Sequence, residues 1–106
     1  MARFLILGST NWAAPWPTDP SEELKMEEMY YEAVEEAIKK GEIEDIGFFT
    51  DGQSGYIIVK GEAADVYRMT LENPFYDYEI HEIISLKKAK EIELAVLKDK
   101  VKVAKK

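Results

Sequence analysis

Apolar residues along this chain fall into alternating blocks of strand and helix spacing. Residues 2–9 (ARFLILGS) hold a nearly unbroken apolar run and predict a first strand. Asp19-Pro20-Ser21-Glu22 is a helix start: Asp19 can cap, Pro20 suits the first helical position, and Glu22 stands where a capping box wants it. From there to about Lys40, Met26, Met29, Tyr30, Ala33, Val34, Ala37 and Ile38 recur at helical spacing, and Gly41 after two lysines predicts the stop. Residues 43–50 (IEDIGFFT) and 55–60 (GYIIVK) read as strands joined by the turn chemistry of Asp51-Gly52-Gln53-Ser54. Residues 62–72 read as a short helix with Ala63, Val66, Tyr67 and Met69–Thr70–Leu71 towards the core. Asn73-Pro74 ends it, and residues 75–84 form a fourth strand.

The order β-α-β-β-α-β predicts an α+β, ferredoxin-like domain over residues 1–86: a four-stranded antiparallel sheet with both helices on one face. Residues 87–106 form a basic C-terminal extension. Ser85 can cap a helix from Leu86, with Ala89, Ile92 and Ala95 or Val96 as its apolar stripe. EIELAVL and KVKV also alternate as strands do. The abundance of Ala, Lys, Glu and Leu favours a helix to about Lys98.

An antiparallel sheet covered on one side should alternate apolar and polar residues. The first strand (Phe4, Leu5, Ile6, Leu7) and the third (Tyr56, Ile57, Ile58, Val59) do not, and Ile43, Ile46, Phe48 and Phe49 are expected on both faces of the second. Leaving such a face wet would expose an apolar patch of a kind monomers rarely show. The expected cover is the same face of a second chain about a two-fold axis.

Gly55–Ile83 (GYIIVKGEAADVYRMTLENPFYDYEIHEI) carries a turn glycine before a strand, a short helix ending in Met and Leu, and a Pro-aromatic-Asp-X-Glu-aliphatic strand start. This stretch resembles the dimeric α+β barrel superfamily, and within it the muconolactone isomerase-like small proteins. The resemblance implies sheet-to-sheet dimers, a pocket between helices and sheet, and chemistry without a cofactor. The tryptophan loop and the basic extension depart from the short family pattern, and no catalytic residue carries over.

At 106 residues the chain is one domain, 46% apolar and 33% charged. Having no cysteine, it holds no disulfide, thiolate nucleophile or Cys-based zinc site. The run FLIL is too short for a signal peptide, and nothing approaches the roughly 20 apolar residues of a membrane span. A cytoplasmic protein is expected. Net charge is −7, which argues against nucleic acid as partner. The charge is uneven: residues 87–106 carry eight lysines against three acidic residues, a net of +5, which leaves −12 for residues 1–86. The extension either binds something acidic or docks on its own or a neighbour's acidic body. Abundant Lys and Glu with only Gln53, Asn11 and Asn73 as amides gives a thermophile-like composition.

Candidate chemistry is sparse. Asp77, Glu79 and His81 alternate onto one face of the fourth strand and can relay a proton or bind a metal. However, strand neighbours two apart are about 7 Å apart at the backbone, and a polar band at a dimer rim is the plainer account. Glu82 shares the face of Tyr78, Ile80 and Ile84. A carboxylate in an apolar pocket there makes a general base; a strand that bends or ends early leaves it in solvent. Trp12 and Trp16, in a proline-stiffened loop, either lid a pocket or plug one end of the sheet. Tyrosines 30, 31, 56, 67, 76 and 78 offer hydroxyls for a polar ligand or simply fill the core. Arg68 can hold a carboxylate bidentately or belong to a solvated helix face. Gly8-Ser9-Thr10 lacks the spacing and Lys of a phosphate loop. The expected function is an isomerase-like proton transfer on a small organic acid or lactone. Glu82 or His81 would be the base, Trp12, Trp16, Tyr56 and Arg68 would bind, and no cofactor would take part. The alternative is a small-ligand-binding or assembly module.

Overall fold

A computed structural model describes residues 2–105. The order is β1 (Ala2–Thr10), α1 (Pro20–Lys39), β2 (Ile43–Phe48), β3 (Ser54–Gly61), α2 (Ala63–Glu72), β4 (Tyr76–Ile83) and α3 (Leu86–Ala104). The four strands form one antiparallel sheet in the order β2-β3-β1-β4. This is the α+β, ferredoxin-like arrangement the alternating blocks predict.

Local chemistry sets the ends of the elements. Asp19 caps α1, its carboxylate accepting from the Ser21 amide at 3.2 Å and the Ser21 hydroxyl at 2.9 Å. The cap thus runs through Ser21 instead of the capping-box partner expected at Glu22. The β2–β3 turn is held by Asp51. Its Oδ1 accepts from the Gln53 and Ser54 amides, its Oδ2 accepts from the Ser54 hydroxyl at 2.6 Å, and Gly52 supplies a φ of +74°.

Register sorts the side chains into two faces. Facing α1 and α2, one row across β4, β1, β3 and β2 reads Glu82–Phe4–Val59–Ile43, and the next reads Ile80–Ile6–Ile57–Ile46. Phe4, Ile6, Val59 and Val66 are the buried core, with Met69 and Tyr78 among the residues packed on it. The register of β2 slips between Ile43 and Asp45. The extra residue puts Ile43, Ile46 and Phe48 all on the helix side, so of the four apolar residues expected across both faces only Phe49, just past β2 and 6.2 Å from the Tyr56 ring, reaches the other. The open face therefore has an apolar centre, half-buried Leu5, Leu7, Tyr56, Ile58 and Ile83, bordered by Asp77, Glu79 and His81. Arg3 forks onto Glu44 at 2.9 and 3.1 Å at one end.

Several residues read as core stand in solvent. On α1, Met29 is 68% and Ile38 45% exposed; on α2, Tyr67 and Leu71 are exposed as well. A short helix buries one narrow stripe, and Val66 and Met69 fill that of α2. Every residue of α3 through Lys105 is exposed. The molecule accordingly measures 72 × 29 × 27 Å, with a radius of gyration of 19.4 Å against the ~13 Å of a compact chain this long. Its accessible surface is 8446 Å², where a compact monomer of 12.2 kDa exposes ~6,100 Å².

Candidate functional site

Above the hydrophobic rows, the helix-side pattern changes. The third row across the sheet reads Tyr78–Gly8–Gly55–Phe48. Two paired glycines leave the middle of the sheet bare between two aromatic walls. Tyr30 and Val34 of α1 and Met69 of α2 stand beside this trough and form with it a half-open cleft of about 440 Å³. That volume lies in the range of small-molecule sites.

Three loops close one end. Thr10 donates through its amide and its hydroxyl to the Gln53 carbonyl, at 2.8 and 3.0 Å. The Asn11 amide donates to the Phe75 carbonyl at 2.9 Å, and its side-chain Nδ2 to the Pro74 carbonyl at 3.0 Å. Trp16 donates from Nε1 to the Asn11 carbonyl at 2.7 Å and sets its ring edge-on to Phe75 (4.8 Å) and Tyr76 (5.9 Å). Trp16 is thus a plug behind the cavity, whereas Trp12 is 72% exposed; neither lines it.

Aromatic rings dominate the lining. Tyr76 lies 6.5 Å from Tyr30 and 6.3 Å from Tyr78, centroid to centroid, and Tyr31 meets Phe48 at 6.0 Å. Burial, with neighbouring tyrosines adding, pushes the Tyr30 and Tyr78 hydroxyls up to about 12. Burial and the nearby Glu27 carboxylate raise Tyr76 as well. At neutral pH all three therefore hold their protons and can donate. Among the described tyrosines only Tyr56 has its hydroxyl in a side-chain hydrogen bond, donating to Asp45 Oδ2 at 2.8 Å. Gln53, Asn73 and Thr10 add neutral polar groups, and no charged side chain among the described residues lines the space.

The residues singled out from sequence do not converge. Tyr56 alone contributes to the lining, although its side chain lies on the open face of the sheet. Glu82 takes the helix-side parity expected of it, opposite Phe4, yet it is exposed and outside the lining. The expectation of a buried carboxylate is thereby corrected: β4 is an edge strand, so the carboxylate stays in water. His81 sits on the open face, half exposed, with Nε2 3.4 Å from Glu79 Oε2. Among the described residues no group of three or more His, Asp or Glu side chains is placed to hold a metal ion. Arg68 projects into solvent from α2. The trough itself escapes a sequence reading, because Gly8 and Gly55 signal a cavity only once the β1–β3 register pairs them.

Compared with protein-family models, curated protein sequences and solved structures, the chain finds no match in any of the three. Among the described residues no helix is long and apolar enough to cross a membrane.

Proposed function

We propose that this chain is a homo-oligomeric α+β barrel protein that binds a small, neutral, planar molecule in its helix-side cavity. The observation that carries the reading is the lining: tyrosine hydroxyls kept protonated, amides, and no countercharge. A charged ligand seated against these rings would give up hydration on that side and find no countercharge in the lining. A flat molecule carrying a carbonyl or hydroxyl would stack on the rings and accept from Tyr30, Tyr76 or Tyr78. The resemblance to dimeric α+β barrels supports both the cavity's place and the pairing of open sheet faces. The exposed area, ~2,300 Å² above that of a compact monomer and including the whole of the projecting α3, supports a partner without choosing the face it covers. In the isomerase-like alternative Glu82 or His81 would act on substrate outside this space, since neither lines it.

Calorimetric titration of a matched panel tests the reading: neutral phenols and aryl ketones against aromatic carboxylates of equal size. Neutral compounds binding one per chain, with no turnover and with loss of binding in Gly8→Leu, is the expected result. A preference for the carboxylates, or Gly8→Leu binding as the parent does, would overturn it. Conversion of a bound compound that survives Gly8→Leu and fails in Glu82→Gln with His81→Gln would move the function to β4.

A further inference from the structure

The most conspicuous unpartnered surface lies far from the cavity. α3 carries Ile92, Leu94, Val96, Leu97, Val101 and Val103 at 43–71% exposure, and its own body covers none of them. A lone helix of 19 residues is marginal in water, and one with two exposed apolar rows, Leu94–Leu97–Val101 and Ile92–Val96–Val103, needs a partner to be worth forming. We infer that α3 is an exchanged arm that packs along α1 of a second copy of this chain.

Two patterns match. On α1, Leu24, Tyr31 and Ile38 recur every seven residues at 60, 47 and 45% exposure, and Glu28 and Glu35 stand four residues after the first two. On α3, Leu94 and Val101 are seven apart with Leu97 between them, and Lys98 and Lys105 stand four residues after Leu94 and Val101. Each helix thus presents an apolar seam with a charged flank, acidic on one and basic on the other. α1 holds seven acidic residues and two lysines, a net of −5, against the +5 of residues 87–106. Pairing α3 with another α3 would set like charges together. The lengths agree as well, 20 residues for α1 and 19 for α3, each ~30 Å.

The chain's own α1 is the wrong target. Only Ile84 and Ser85 separate β4 from α3, and Ser85 caps the helix, its hydroxyl accepting from the Lys88 amide at 3.1 Å. The helix runs out along the 72 Å axis. Folding back would have to reverse the chain over those two residues. A second copy meets the projecting helix without that reversal.

Absence of cysteine makes the test direct. Full-length Lys98→Cys is mixed with full-length Glu28→Cys or Glu35→Cys under mild oxidation, and a disulfide between unlike chains at dimer mass is expected. A double variant carrying both cysteines that closes within one chain would overturn the exchange. So would Leu97→Cys pairing with itself faster than the mixed chains do, or no bond above the background of a Thr18→Cys control. Charge reversal gives a second reading that needs no disulfide. Lys98→Glu with Lys105→Glu should weaken self-association about tenfold, as should Glu28→Lys with Glu35→Lys; all four changes together should recover most of the loss. Association indifferent to both reversals sinks the proposal and leaves sheet pairing and the cavity untouched.

Discussion

Gly8 of β1 and Gly55 of β3 are direct strand partners on the helix side of the sheet, with Tyr78 beyond one and Phe48 beyond the other. Their missing side chains open the floor of the cavity. The two are not equivalent. A Cβ on Gly8 would meet the Tyr78 ring at 3.6 Å, an ordinary contact, whereas a Cβ on Gly55 would run into the Gly47 carbonyl oxygen.

Gly8→Ala is therefore expected to stabilise the fold by about 0.4–1 kcal/mol through the less flexible unfolded chain. Gly55→Ala forces backbone apart and should destabilise it by about 1–3 kcal/mol. Urea unfolding of the two variants beside the parent checks the asymmetry. Equal losses would mean that both positions are backbone-limited.

Alkaline pH acts through the cavity wall. Folding holds the Tyr30 and Tyr78 protons up to about 12, from an ordinary 10.0. Below pH 10 both folded and unfolded chains keep these protons and the contribution is fully present. Between about 10 and 12 the unfolded chain ionises first, so stability falls as pH rises. Unfolding free energies across that window should decline more steeply in the parent than in Tyr30→Phe with Tyr78→Phe. The tyrosinate absorbance of the parent should show two more hydroxyls ionising above the ordinary range than the variant, in which Tyr76 and Tyr56 still do.

The sheet order was legible because periodicity, caps and turn residues agree: Asp19-Pro20, Gly41, Asp51-Gly52 and Asn73-Pro74 each stand at an element boundary of the fold. Parity along β4 also placed Glu82 opposite Phe4. What parity does not carry is strand position. β4 is an edge, and along one parity of it Tyr78 is half-buried beside Tyr76 while Glu82, four residues on, stays wet. The slip in β2 was equally hidden, since no residue type in Ile43–Phe48 demands a bulge. The cavity depends on glycines 47 residues apart meeting across two strands, which is a property of register and not of any local motif.

Acid should act on the turn. Hydrogen bonds from the Ser54 hydroxyl and then the Gln53 amide hold the Asp51 carboxyl below its ordinary range, with the Ser54 amide adding to them. A group lowered by folding stabilises above its unfolded value of 3.8 and loses that contribution as pH falls from there through its lower folded value. Asp51→Asn keeps an acceptor but not the charge. It should be less stable than the parent at neutral pH, and the gap should close as the pH drops below that value. A gap constant with pH would assign the loss to turn geometry alone.

Leu5 decides whether open sheet faces meet. It lies between Ile58 and His81 in the register, at the centre of the apolar patch, while Ser9 lies at its exposed margin. If two copies pair there, Leu5→Glu buries a carboxylate without a partner, and self-association should weaken roughly a hundredfold or more, the scale of ~3 kcal/mol. Ser9→Glu keeps its charge in water and should change little. Neither residue touches the helix-side core, so monomer stability should hold in both. Sedimentation equilibrium of the three chains separates the cases. Leu5→Glu assembling as the parent does would leave that face to solvent and turn the search for the assembly to α1 and α3.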